Sequence, residues 1–255
     1  MSDFADRLRV LEPVAGGWVS VGHPVVAELL AEQEFDFLVL DGEHSENSIE
    51  SLAAMVRAVD AADGDTEALV RVPAADPIAV KRVLDLGPAG VIVPAVDTPE
   101  EAAAMVDAAA YPPEGVRGVA GTRPSGYGAS LDEYYTRANA DTLVIVQIET
   151  ASAVECVHDI AAVEGLDGLF IGPADLSAQL GVFGEFDSET FRDATDRIAD
   201  AANDADKPLG TLATSRETVE SRWEWGVDFL AVGTDTNYLA DAAADYLDAY
   251  EDART

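Results

Sequence analysis

Residues 35–59 read F-D-F-L-V-L-D-G-E-H-S-E-N-S-I-E-S-L-A-A-M-V-R-A-V. The near-continuous apolar run 35–40 predicts a strand covered on both faces, and the recurrence of Ile49, Leu52, Met55, Val56 and Val59 predicts a helix with one apolar side. That strand-then-helix unit repeats along the chain. Strands are predicted at 18–21, 35–40, 68–72, 91–96, 143–148, 169–171, 209–212 and 229–232. Helices are predicted at 24–33, 49–59, 77–86, 99–110, 153–163, 190–205, 217–225 and 237–250. Alternation of this kind makes a parallel sheet. Eight such units in 255 residues fit a closed (β/α)₈ TIM barrel, typically about 250 residues, better than an open doubly wound sheet. One domain is expected over 1–255, and its one irregular stretch is 111–141, rich in Gly, Pro and Tyr, with a short helix at 131–140.

The chain carries 49 Asp and Glu against 15 Lys and Arg, a net charge of −34, while 48% of its residues are hydrophobic. That much apolar material places the charge on the surface of a folded body rather than on a disordered acidic chain. Such a field repels nucleic acid and anionic membrane, so neither is an expected partner. It suits the salt-rich cytoplasm of a halophile, where screening shortens carboxylate repulsion to ~3 Å at 1 M. Cys156 is the only cysteine, so no internal disulfide forms. The start M-S-D-F-A-D-R-L lacks a signal peptide's basic and apolar regions, and no apolar run approaches the ~20 residues that span a bilayer. A cytoplasmic protein is expected.

In a barrel of this kind the chemistry lies where strands end. The residues at those ends are Asp41, Glu43 and His44; Arg71; Gln147 and Glu149; Gly172, Pro173, Ala174 and Asp175; and Thr234 and Asp235. Glu149 and Asp175 follow adjacent strands and can hold a hard octahedral cation such as Mg²⁺ or Mn²⁺; equally, each stands where it can cap the following helix. His44 directly follows an apolar strand and suits acid/base work near neutral pH. His23 can line the same mouth, whereas His158 falls inside a helical pattern. Arg71 is either a fixed cation for a developing oxyanion or the partner of a neighbouring carboxylate. The 172–175 stretch opens a helix whose free amides can seat a carboxylate. A Schiff-base route needs a lysine at the strand ends, and the only two, Lys81 and Lys207, fall within a helix and ahead of a strand. These features fit a metal-chelated, anionic oxo acid and call for no organic cofactor.

Six strings carry a resemblance: F-D-F-L-V-L-D-G-E-H-S at 35–45, D-P-I-A-V-K-R-V-L-D-L-G at 76–87 with Arg71 ahead of it, V-I-V-P-A-V at 91–96, Y-P-P-E-G-V-R-G at 111–118, V-Q-I-E-T at 146–150 and G-L-D-G-L-F-I-G-P-A-D-L-S at 165–177. Together they closely resemble the metal-dependent pyruvate aldolases of the HpcH/HpaI family. The resemblance implies reversible retro-aldol cleavage of a 2-keto-3-deoxy sugar acid or a 4-hydroxy-2-oxo acid to pyruvate and an aldehyde. It implies that Glu149 and Asp175 hold Mg²⁺ or Mn²⁺, with Co²⁺ a third candidate. It also implies that His44 is the acid/base with Asp85 orienting it, and that Arg71 stabilises the pyruvate enolate. Gln147 and the amides of Ala174 and Asp175, beside Gly172 and Pro173, would then bind the pyruvate moiety. Asp85 by itself reads as a solvated helix residue, so its role rests on the resemblance alone. A homo-oligomer, a trimer or a hexamer built from trimers, is implied too, with the last helix, 237–252, exchanged between subunits.

The stretch V-A-G-T-R-P-S-G-Y-G at 119–128 departs from the family pattern where substrate choice would be made. Trp18, Leu212 and Arg123 are the candidates for shaping the aldehyde end, Arg123 by pairing with a distal carboxylate. Two other readings compete. A CoA-thioester lyase or hydrolase needs a basic surface for the CoA phosphates, which a chain with two lysines hardly offers. A non-catalytic keto-acid-binding protein would keep the pocket without the reaction.

Overall fold

The computed structural model describes residues 3–254, so Met1, Ser2 and Thr255 of the expected domain lie outside the described residues. Its eight strands are β1 (Val14–Val19), β2 (Phe37–Asp41), β3 (Glu67–Arg71), β4 (Gly90–Val93), β5 (Leu143–Ile148), β6 (Gly168–Ile171), β7 (Leu209–Leu212) and β8 (Phe229–Thr234). They pair in parallel, in sequence order, and β8 closes on β1. The helices are α1 (Asp3–Arg9), α2 (Pro24–Ala31), α3 (Ile49–Val59), α4 (Pro77–Leu84), α5 (Pro99–Ala109), α6 (Leu131–Asp141), α7 (Ala151–Ala161), α8 (Pro173–Gln179), α9 (Glu189–Asp204), α10 (Arg216–Trp223) and α11 (Asp235–Arg254). The architecture is the expected (β/α)₈ barrel.

Local chemistry starts several of the helices. Ser48, Asp76, Thr98, Thr150 and Ser188 each accept a hydrogen bond from an amide in the first turn of α3, α4, α5, α7 and α9. Pro77 and Pro99 fill first positions, where no N–H is needed. Along β2 the pleat sends Phe37 and Val39 into the barrel and Leu38 and Leu40 out against the helices. The inner core runs from an aromatic plug to the mouth. Phe4 of α1 meets Phe37 at 5.7 Å, and Phe37 meets Phe229 at 6.0 Å. Phe229 meets Phe170 at 5.9 Å, and Phe170 meets Trp18, also at 5.9 Å.

Two differences from the sequence reading have clear causes. The first strand begins earlier than 18–21, because Gly16 and Gly17 interrupt its apolar signal yet are required for packing. A Cβ on Gly16 would lie 2.4 Å from the Phe37 ring. Helix α1, absent from the expected pattern, is amphipathic over barely two turns and earns its place only by burying Phe4, Ala5 and Leu8 under the barrel.

The irregular stretch 111–141 joins α5 to β5, so it lies at the amino end of the barrel; it holds a short 3₁₀ turn, Arg123–Ser125, and α6. Helix α11 leaves the barrel: every described residue from Leu239 onward is exposed, including Leu239, Tyr246, Leu247 and Tyr250. Among the described residues no helix is long and apolar enough to cross a membrane.

Candidate active site

Four strand ends, those of β2, β3, β5 and β6, build the polar mouth. Asp41 closes β2 opposite Arg71, the last residue of β3. Arg71 donates from Nε to Asp41 Oδ1 at 2.9 Å and from Nη2 to Asp41 Oδ2 at 2.8 Å, the bidentate fork that suits a guanidinium. Its Nη1 lies 2.8 Å from Glu43 Oε2, an ion pair set off the N–H axis and so without a hydrogen bond. Its Cζ lies over the Trp18 ring, 4.8 Å from the centroid, and Trp18 Nε1 donates to Asp41 Oδ2 at 3.4 Å. Gly42 lets this turn lie flat on β3, since a Cβ there would lie 2.6 Å from the Arg71 carbonyl. Asp41 also accepts from the amides of Glu43 at 3.0 Å and His44 at 3.3 Å. Burial pushes its acidity toward the neutral form, but the Arg71 hydrogen bonds and charge and the Glu43 amide outweigh it, so its pKa lies below the ordinary value. For Glu43 burial wins and the pKa is raised, with Arg71 and His44 opposing.

Glu149 follows β5, is buried, and accepts from the Ala95 amide at 2.7 Å through Oε1 and from Gln147 Nε2 through Oε2. Burial, with the charges of Glu43 and Asp175 adding to it, raises its pKa to about 7 against the pull of the Ala95 amide. Beside it Gly172 forms a cradle: a Cβ there would lie 2.5 Å from Gln147 Nε2 and 2.6 Å from Glu149 Oε2. Pro173 and the exposed Ala174 and Asp175 open α8 at the same rim. Thr150, not Glu149, caps α7, accepting from the Ala153 amide at 3.0 Å. The capping alternative is therefore removed for Glu149.

Among the described residues no three His, Cys, Asp or Glu side chains cluster as a complete metal shell. The residues present nonetheless fit a hard divalent cation. Glu149 and Asp175 are oxygen donors at one rim, Glu149 is held above its ordinary pKa by burial and then by the neighbouring carboxylates, a cost that a cation would relieve, and among the described residues the buried Gln147 Oε1 has no partner.

The other expected site residues divide. His44 reaches the mouth with its side chain 67% exposed, Nε2 being 3.9 Å from Glu43. Leu212 ends β7, half-buried at the rim. Trp18 is buried in the inner core beneath Arg71, so it is a floor for the guanidinium rather than a wall for the aldehyde. Two assignments need correction within the chain. Asp85 caps the carboxyl end of α4, and Arg117 Nη2 donates to it at 3.2 Å, so it is not paired with His44. Arg123 pairs with Asp60 and donates to the Leu86 carbonyl at 2.9 Å. Both lie in connections that run from a helix to the next strand, and these sit at the amino end of a barrel, away from its mouth.

His23 caps α2, its Nδ1 accepting from the Val25 amide at 3.3 Å. The exposed His158 lies 3.7 Å from Asp204. Asp235 is a clamp, accepting from the amides of Ser20 at 3.1 Å and Val21 at 2.8 Å across the β8–β1 seam. Sequence reasoning left Asp41 and Glu43 without a task, although the spacing D-G-E after a strand was visible. The Ala95 amide had no side-chain signal at all.

The HpcH/HpaI aldolase/citrate lyase family model matches residues 15–242, nearly the whole barrel. The chain belongs to the HpcH/HpaI aldolase/citrate lyase family. It is an aldolase, a carbon–carbon lyase. The aldolase is 39% identical over 247 residues to a 4-hydroxy-2-oxovalerate aldolase of Novosphingobium aromaticivorans, covering 97% of this chain and 94% of the relative. It is 36% identical over 249 residues to a 5-keto-4-deoxy-D-glucarate aldolase of Klebsiella pneumoniae, covering 97% and 96%. A crystal structure of an HpcH/HpaI aldolase/citrate lyase family protein from Burkholderia cenocepacia superposes with a TM-score of 0.94 at 37% identity, covering all of both chains.

Proposed function

We propose that this aldolase cleaves a 2-oxo acid bearing a 4-hydroxyl group, a 4-hydroxy-2-oxo acid or a 2-keto-3-deoxy sugar acid, to pyruvate and an aldehyde, and that it needs a divalent cation, Mg²⁺ or Mn²⁺, to do so. The observation that carries the reading is Glu149, buried at the rim beside Asp175 with its pKa displaced to about 7. Glu149 and Asp175 would hold the cation, which supplies Lewis-acid polarisation of the 2-oxo group when bound. Gln147 and the amides of Ala174 and Asp175 bind the carboxylate end of the substrate against Gly172 and Pro173. His44, exposed and free to turn, takes the C4 hydroxyl proton as the C3–C4 bond breaks, and returns it to the enolate. Arg71, immobilised by Asp41, Glu43 and Trp18, presents a fixed positive charge to the enolate oxygen without reorganising.

Leu212 borders the aldehyde end. The bare apolar positions on α11 support a homo-oligomer in which that helix docks on a neighbouring copy, and Asp85 would meet a His44 only from such a copy. The acidic shell supports work in a salt-rich cytoplasm. EDTA should abolish pyruvate release from a 4-hydroxy-2-oxo acid in a coupled assay, and Mn²⁺ should restore it; full turnover in chelator would overturn the metal requirement.

A further inference from the structure

Among the described residues, five with side chains adopt positive φ: Leu11, Glu34, Ala95, Tyr127 and Asp206. Leu11, Glu34 and Asp206 follow the last turns of α1, α2 and α9, and Tyr127 follows the 3₁₀ turn; a left-handed residue commonly ends a helix. Ala95 has no helix to end. It follows β4 in V-P-A-V, between the buried Pro94 and Val96, with φ 52°, a conformation in which a Cβ crowds the following carbonyl. Its N–H is directed at Glu149 Oε1 at 2.7 Å.

We infer that Ala95 is a positioning residue for Glu149, and that its left-handed backbone exists to aim that amide. The amide holds Oε1 from the β4 side, while Oε2 faces Gln147 and the Gly172 cradle on the β6 side. The two oxygens are thus given different neighbours before any ligand arrives. A carboxylate free to rotate would have to be ordered by the cation itself, at a loss of affinity. Pro94, which cannot donate, precedes the turn, so the amide before Ala95 does not compete for Oε1.

This inference rests on the metal reading above, and the test separates the two. Mn²⁺ dissociation constants are measured by electron paramagnetic resonance on the full-length protein in chelator-treated buffer. Ala95→Gly, which enters the left-handed region freely and keeps the N–H, should bind within about twofold of the parent. Ala95→Val, which a β-branched side chain excludes from that region, should bind about tenfold or more weaker, the usual range for losing a partner of a metal ligand. Replacing Ala95 by lactic acid, so that an ester oxygen stands where the N–H was, should weaken binding as much with the side chain unchanged. The ester variant decides the matter if the Val variant does not fold. Mn²⁺ affinity unchanged in the ester variant would overturn the inference. Unchanged affinity in Glu149→Gln would instead overturn the metal reading, whatever the Ala95 series shows.

Discussion

The two ends of the barrel use the same carboxylates for opposite purposes. At the amino end, Asp36, Asp167 and Asp228 each stand one residue ahead of a strand and accept from the first amides of the preceding one: Ala15 at 2.8 Å, Val144 at 2.8 Å and Leu209 at 3.0 Å. Arg7 and Arg9 add charge-assisted bonds to Asp36 and Asp167 at 2.7 and 2.9 Å. These groups stitch the ladder shut below an apolar plug. At the mouth, Arg71 pairs with Asp41 and Glu43, burial drives Glu149 to a pKa of about 7, and among the described residues Glu43 Oε2 and Gln147 Oε1 lack hydrogen bonds. Tyr111 Oη and Arg117 Nε and Nη1, at the amino end, lack hydrogen bonds as well, so what distinguishes the mouth is that its oxygens without them, Glu43 Oε2 and Gln147 Oε1, lie with Glu149 where the strands end.

The sharpest way to break that contrast is Glu149→Gln, which should lower turnover by roughly 10³-fold if several kcal/mol of charge stabilisation is lost. Stability should move the other way. A carboxylate whose folded pKa exceeds its unfolded value contributes less stability as pH rises from about 4.5 to about 7. Removing that acid should therefore raise the melting temperature of the metal-free protein at alkaline pH, and a lower one would place Glu149 among the structural acids. At the other end, Phe37→Ala should cost about 3–5 kcal/mol in denaturant unfolding yet leave turnover per folded molecule within about twofold. A large loss of turnover in folded protein would show that the plug and the mouth are coupled.

Proton release sharpens the electrostatic half. With Glu149 at about 7, Mn²⁺ binding should release most of a proton near pH 6 and little near pH 8, read by calorimetry in buffers of differing ionisation enthalpy. Release that does not vary with pH would mean Glu149 is ionised throughout. The smallest effect is expected from Leu212→Ala, which should shift the ratio of kcat/KM between a short and a long aldehyde by roughly tenfold, the scale of a methylene-sized change in a pocket. An unchanged ratio would remove Leu212 from the aldehyde wall.

Much of this was legible in the chain because it is written locally. Strand, cap and helix recur within single βα units, as 35–59 displays, and the alternation alone leads to the barrel. Once the barrel is drawn, Arg71, Gln147, Glu149 and Asp175 fall at its mouth by counting. The same counting assigns Asp85 and Arg123 to the amino end, so the role that the resemblance implied for Asp85 and the aldehyde-end role read for Arg123 both pointed away from what topology required within one chain.

The sequence by itself determined the periodicity, the order of the elements and which residues end each strand, since these depend on neighbours a few positions apart. Only the tertiary structure decided which acids are satisfied and which are displaced, because burial and partnership join residues far apart in the chain. Asp41 meets Arg71 across 30 positions, and Ala95 meets Glu149 across 54. Asp41 and Glu149 both stand behind strands and look alike as letters; folding gives Asp41 a guanidinium that outweighs its burial and lowers its pKa, and gives Glu149 burial that its donors do not offset.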